Sequence, residues 1–307
     1  WSSDVCSSDL KLGITVYGYV PVVTDCVIES RHLGLVMPGE IQDFKEKLVK
    51  LAKRMEETID FDGLIALGKS APALSVEKET EEYFQSLKNQ GEKIKIGLAM
   101  DEAFCFFYED NLKLLEEMGA ELVPFSPIHD KKLPEDIQGL LLYGGYPELY
   151  GKALEENASM RKEIKEALSK GMPVLAECGG FMYLHDTFED EKGIFRQGVG
   201  QIKGKVFNTG KLSRFGYIEA SCKKPVFGTL IGTCPAHEFH YFDSTNCGTD
   251  FHAKKPVGKR GWDCIHSTPT MIAGFPHFYY YGNPDLPKAF LDCCRNFKRR
   301  QSGGLEE

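Results

Sequence analysis

From Lys93 to Leu184 short apolar runs alternate with amphipathic stretches, and few folds accept that pattern. Strands are expected at Lys93–Met100, Glu121–Phe125 and Gly139–Tyr143, with helices near Tyr108–Met118 and Ser159–Leu168, closed by Gly119 and Gly171. Such alternation buries its strands in a parallel sheet with helices on both faces, giving an α/β, flavodoxin-like domain. It ends in Pro173-Val-Leu-Ala-Glu-Cys178-Gly-Gly-Phe-Met-Tyr-Leu184, which reads as a buried strand, a sharp turn and the first turn of a helix. Ligands of parallel sheets bind beyond the carboxyl ends of the strands, where Cys178 and the Gly144-Gly145 pair both fall.

A cysteine at a strand-to-helix turn has two chemical consequences. The helix end is expected to lower the thiol pKa toward thiolate, and the Gly179 N–H is free to bind a developing oxyanion. The serine elbow of hydrolases works by the same logic. A lone cysteine there would be read as structural, but the Glu177-Cys178-Gly179-Gly180 context favours a nucleophile. Gly144-Gly145-Tyr146-Pro147-Glu148 suits the second half of an oxyanion hole, though alone it reads equally as a plain glycine turn. His277 is the candidate partner, because a thiol needs an imidazole to take its proton and return it to the leaving amine. In isolation it could equally be a packed histidine in an aromatic strand. In His237-Glu238-Phe239-His240-Tyr241, strand alternation puts His237, Phe239 and Tyr241 on one face and Glu238 and His240 on the other. A zinc site there lacks a third ligand at a suitable spacing.

The rest of the chain bounds the answer. Lys and Arg number 37 against 45 Asp and Glu, and the formal charge of −8 argues against a nucleic-acid surface. No apolar run has the length of a membrane span. The ten cysteines include no CxxC and the eight histidines no HExxH, so a reducing cytoplasm without a resident metal is expected. Residues 1–10 are Ser-rich and aperiodic and are expected to be a disordered or foreign leader; with no initiating Met, the chain is expected to be a piece of a longer protein. Thr15–Val23 reads as a strand, Glu40–Ile59 as an amphipathic helix, and 60–75 as a short helix capped by Asp60 or Asp62. Gly63-Leu-Ile-Ala-Leu-Gly-Lys-Ser70 matches GxxxxGK[ST], but its centre is apolar, a helical stretch precedes it and Pro72 obstructs a following helix, so it is rejected as a phosphate loop.

Together these stretches resemble the cobyrinic acid a,c-diamide synthase family, glutamine-dependent ligases of corrin biosynthesis, from about Val16 to Arg295. The resemblance is carried by Gly18-Tyr-Val-Pro21, Arg31-His-Leu-Gly-Leu35, Asp101–Tyr108 with Asn111, Phe125-Ser-Pro127, Gly144–Glu148, Ala176–Gly180 and His237–Tyr241. It implies an N-terminally truncated member: residues 11–77 as the closing part of a P-loop, dethiobiotin-synthetase-like ATP-binding domain, 78–92 as a linker, 93–300 as an intact class I glutamine amidotransferase domain, and 301–307 as a tail. Cys178 is then the glutaminase nucleophile and His277 its base. The family's second closing histidine is replaced here by Tyr279, and no Asp or Glu lies two residues after His277, so a Cys–His dyad is expected. Gly145 and Gly179 would hold the oxyanion, with Gly144, Tyr146, Glu148, Glu238 and His240 nearby.

The whole reaction implied is ATP- and Mg²⁺-dependent amidation of the a and c acetates of cobyrinate with glutamine as donor. The family's Walker-type loop has no counterpart in the sequence, so this chain is expected to act at most as the glutaminase, which needs no bound cofactor. Three rivals remain at this level: a Ni-sirohydrochlorin a,c-diamide synthase, an inactive truncated remnant, and a cysteine hydrolase unrelated to glutamine.

Overall fold

The computed structural model describes residues 12–31, 34–36, 38–88 and 93–303, so the expected leader at 1–10 lies outside the described residues. The chain divides into two compact units, Trp1–Lys78 and Glu79–Glu307.

In the first unit, β1 (Ser30–Arg31) and β2 (Gly34–Leu35) pair antiparallel, and two helices follow, α1 (Phe44–Thr58) and α2 (Phe61–Lys69). The Asp60 side chain accepts a hydrogen bond from the Gly63 N–H at 2.9 Å and so caps α2. The strand expected at Thr15–Val23 is reduced to a single bridge between Gly18 and Ile59. Pro21 lacks the N–H that would extend that pairing. Gly63 to Lys69 lie inside α2, where backbone N–H groups serve the helix; these residues form no loop able to cradle a phosphate.

The second unit opens with α3 (Lys78–Leu87), which occupies most of the stretch expected as a linker. Its Phe84 and Leu87, one turn apart, pack against the core, so the charged surface of this segment hid an anchored helix. Then come β3 (Ile94–Ala99), α4 (Glu109–Glu117), β4 (Ala120–Phe125), β5 (Gly139–Leu142), α5 (Gly151–Glu156), α6 (Ala158–Ser169), β6 (Val174–Glu177) and α7 (Gly179–Leu184). The remaining elements are β7 (His185–Glu189), β8 (Phe195–Gln197), β9 (Ile202–Asn208), β10 (Arg214–Cys222), β11 (Thr233–His240), β12 (Phe242–Ser244), β13 (Phe251–Lys254), β14 (Gly261–Cys264), β15 (His266–Thr268), β16 (Met271–Gly274), β17 (His277–Phe278) and α8 (Asp285–Gln301).

The central sheet has the order β15-β16-β6-β5-β3-β4, parallel throughout except for the antiparallel edge strand β15. Every residue of β5 and β6 is buried. Leu141 and Leu175 face one core, while Leu140, Leu142, Val174 and Ala176 face the other. A parallel strand covered on both faces has to be apolar at every position, hence the uninterrupted runs. Beyond α7 the chain builds two further sheets, ordered β12-β9-β7-β8 and β14-β13-β10-β11-β17. The observed α/β fold thus contains the expected parallel core and adds to it one antiparallel sheet and one mixed sheet, in which β7 and β9 run parallel. Among the described residues, no helix is long and apolar enough to cross a membrane.

Candidate active site

Three chain segments meet at the carboxyl ends of β5, β6 and β16. The first is the elbow after β6. Cys178 adopts φ 45° and ψ −103°, a conformation L-residues rarely take, at a cost of about 1–3 kcal/mol. Backbone bonds hold it there: the Cys178 N–H donates to Gly274 O at 2.8 Å, and the Gly180 N–H to Tyr143 O at 2.9 Å. A Cβ on Gly180 would lie 1.9 Å from Leu142 O, so only glycine lets α7 sit this close to β5.

The second segment is the Gly144-Gly145 loop after β5. Gly145 has φ +157°, and a Cβ there would come within 2.1 Å of Ala103 O. The Tyr146 N–H donates to the same carbonyl at 3.0 Å, and the buried Tyr146 ring meets Phe106 edge-on at 4.8 Å. The loop touches both partners: the Cβ position of Gly179 is 3.1 Å from Gly145 N, and that of Gly144 is 2.5 Å from His277 Cε1.

The third segment is β17, which pairs His277 with His237 across to β11. Buried Asn111 clamps it from α4, its amide donating to Phe278 O at 2.7 Å and its carbonyl accepting from the Tyr280 N–H at 2.9 Å. A carboxylate does lie near the candidate base, although none follows it in the sequence at the expected spacing. His277 Nδ1 lies 3.7 Å from Glu177 Oε2, with the two side chains only 14% and 3% exposed. This carboxylate precedes Cys178 in the sequence instead of following His277. Its one sequence signal was adjacency to Cys178 within Glu-Cys-Gly-Gly.

The electrostatics also overturn one expectation. The Cys178 thiol is pushed up to about 12, not down: burial is the main cause, Glu148 adds to it, the Gly179 N–H opposes it, and Glu238 and Glu177 raise it further. A helix of six residues does not offset burial among carboxylates. His277 is driven down to about 4 by burial and then by His237 and His240. Proton transfer from thiol to imidazole is therefore uphill in the resting site.

Glu148 is buried and acts on Cys178 through its charge. Glu238 and His240 occupy the buried face of β11, opposite His237 and Phe239, and likewise reach Cys178 and His277 through charge. The His240 ring stacks on Phe275 at 4.0 Å, its Nδ1–H donates to Phe242 O at 2.6 Å, and burial takes it down to about 4. Both carboxylate oxygens of Glu238 are buried without a hydrogen-bond partner. Burial pushes this group up to about 7 against the pull of Arg214.

That shift makes a stability prediction. The folded state holds the Glu238 proton more tightly than the unfolded chain, in which glutamate titrates near about 4.3. Stability present in acid is lost as pH rises from about 4.3 through about 7, by about 4 kcal/mol at most. Glu238→Gln keeps a neutral side chain at every pH. In urea unfolding the variant should exceed wild type by about 1–3 kcal/mol near about pH 8, with no gain near about pH 4. Equal stabilities at the higher pH would mean that Arg214 fully compensates the carboxylate.

Among the described residues, no group of three or more His, Cys, Asp or Glu is placed to hold a metal. Residues 95–280 match the profile of a family described as the CobB/CobQ-like glutamine amidotransferase domain. A cobyrinate a,c-diamide synthase of Caldanaerobacter subterraneus subsp. tengcongensis is 40% identical over 292 residues, covering 94% of this chain and 63% of that protein. One of Salmonella typhimurium is 39% identical over 288 residues, covering 92% and 61%. The chain therefore spans somewhat under two thirds of the length of these relatives. Among solved structures, PurLQS from Thermotoga maritima aligns with a TM-score of 0.47 at 16% identity, over 67% of this chain and 99% of that one.

Proposed function

Because the chain belongs to the CobB/CobQ-like glutamine amidotransferase domain family, we propose that residues 93–300 hydrolyse glutamine and release ammonia for amide synthesis. The supporting observation is the strained Cys178 elbow, packed through Gly179 against the Gly144-Gly145 loop, which itself packs against His277 through Gly144. In this reading His277 takes the Cys178 proton as the sulfur attacks the carboxamide carbon, and the Gly145 and Gly179 N–H groups receive the oxyanion. Collapse returns the proton to nitrogen, ammonia leaves, and water releases glutamate from the thioester with His277 as base. Tyr146, Glu148, Glu238 and His240 shape the surroundings of that step.

The names of the relatives support a tetrapyrrole, cobyrinate, as the acceptor of the ammonia. Residues 11–77 are assigned to the closing part of a synthetase domain, whose ATP and Mg²⁺ would activate the acceptor carboxylate. The α2 residues of the GxxxxGK[ST] pattern do not fit a phosphate site, and no step is drawn through them.

Labelling by a glutamine-analogue electrophile tests the glutaminase. With the thiol near 12 in the resting site, a small neutral alkylating agent should react slowly at neutral pH. The analogue should modify Cys178 selectively, and glutamine should protect it. Equal reaction of several cysteines, without protection by glutamine, would remove the glutaminase assignment.

A further inference from the structure

Histidine bases are commonly held by a carboxylate, and the position two residues past His277 carries a tyrosine. We propose that Glu177 is the positioning residue for His277, holding the imidazole in the tautomer that can accept the Cys178 proton. This inference rests on the glutaminase reading.

The placement follows from the sheet. Parallel pairing sets Gly274 of β16 beside Glu177 of β6, and the chain reaches His277 three residues later. The carboxyl group then spans ring and strand: Oε2 lies 3.7 Å from His277 Nδ1, and Oε1 accepts the Phe278 N–H at 3.4 Å. Asn111 fixes the same strand from the other side. These contacts are long, as is common for catalytic hydrogen bonds that tighten when substrate binds. The nucleophile and the group orienting its base are thus consecutive residues, so one elbow aims both.

The surroundings decide which proton sits where. Facing Glu177 are Cys178, the Tyr143 and Tyr280 hydroxyls (hydrogen-bonded to each other at 2.8 Å), Tyr108 and His277 itself. His237 and His240 face His277, and both are held below the usual imidazole range by burial. Burial holds Glu177 well above the usual carboxylate range. A protonated Glu177 donates to Nδ1 and leaves the ring hydrogen on Nε2, which then cannot accept from the thiol. Ionised Glu177 accepts from Nδ1–H and frees the Nε2 lone pair. The productive form therefore grows in as pH rises through the Glu177 pKa.

In the step itself the S–H bond of Cys178 breaks and its proton moves to Nε2. Sulfur bonds to the carboxamide carbon, and the carbonyl electron pair moves to oxygen. On collapse the C–N bond breaks, and the Nε2 proton leaves with nitrogen as ammonia. Ionised Glu177 neither gains nor loses a proton throughout.

The test compares full-chain wild type, Glu177→Gln and Glu177→Asp in glutamine hydrolysis across the neutral-to-alkaline range. Glu177→Gln should lower kcat about 10²–10⁴-fold with KM within about threefold, and should lose the limb that rises with pH. Glu177→Asp should recover about tenfold of that loss. A Gln variant within about threefold of wild-type kcat and with the same profile overturns the inference while leaving the glutaminase intact. If the Gln variant does not fold, the wild-type profile and the Asp variant decide, and a flat wild-type profile overturns it. A wild type that neither hydrolyses glutamine nor takes the analogue on Cys178 overturns the glutaminase reading and this inference with it.

Discussion

Cys178→Ala should abolish ammonia release from glutamine, lowering kcat by at least about 10⁴-fold while the fold persists. The size follows from the proposed chemistry, in which the thioester splits one difficult hydrolysis into two easier steps. Without sulfur, only the oxyanion donors and binding remain. Among the described residues, Cys234, Cys264, Cys293 and Cys294 are buried, and burial pushes each of them up. Alanine occupies less space than cysteine at a site whose backbone bonds to Gly274 and Met182 do not involve the side chain. Thermal unfolding should therefore change by no more than about 1 kcal/mol. Residual activity within tenfold of wild type, measured as ammonia release after correction for contaminating glutaminase, would exclude Cys178 as the nucleophile.

Gly180→Ala should be the most destabilising small substitution in the second unit, by about 3–5 kcal/mol. The added methyl would stand 1.9 Å from Leu142 O and 2.7 Å from Leu142 Cβ. Leu142 is fully buried in the middle of the central sheet, so its backbone has nowhere to move. Helix α7 would have to lift, breaking the 2.9 Å bond from the Gly180 N–H to Tyr143 O and uncoupling the Cys178 elbow from β5. Gly171→Ala is the control. Gly171 has φ +83° but no atom within 4 Å of its Cβ position, so alanine meets only backbone strain, about 1 kcal/mol. Calorimetric midpoints of the two variants measure the difference. Equal shifts would mean that the helix accommodates the methyl and that close approach is not what requires glycine at 180.

Helix boundaries show where local information ended. The spacing of Ile41, Phe44, Leu48, Leu51 and Met55 predicts a helix from Glu40, but the chain turns through a left-handed residue at Asp43, and α1 begins at Phe44. The helix within the stretch expected as a linker was hidden for another reason. Its charges are real, but Phe84 and Leu87 suffice to anchor a helix once a core exists to receive them.

The alternation of apolar runs, the glycines that end them and the cysteine in the turn were local patterns, and they determined the parallel core and the position of Cys178. Partners distant along the chain were decided only by the tertiary structure. Glu177 meets His277 because β6 and β16 pair in one particular register, which no spacing within either segment encodes. The thiol is pushed up to about 12 instead of down because burial and carboxylates from separate strands sum at one sulfur. Hydrophobic period and turn chemistry act over a few residues and can be read along the chain. Desolvation and charge act through space, and their sign depends on which segments the fold brings together.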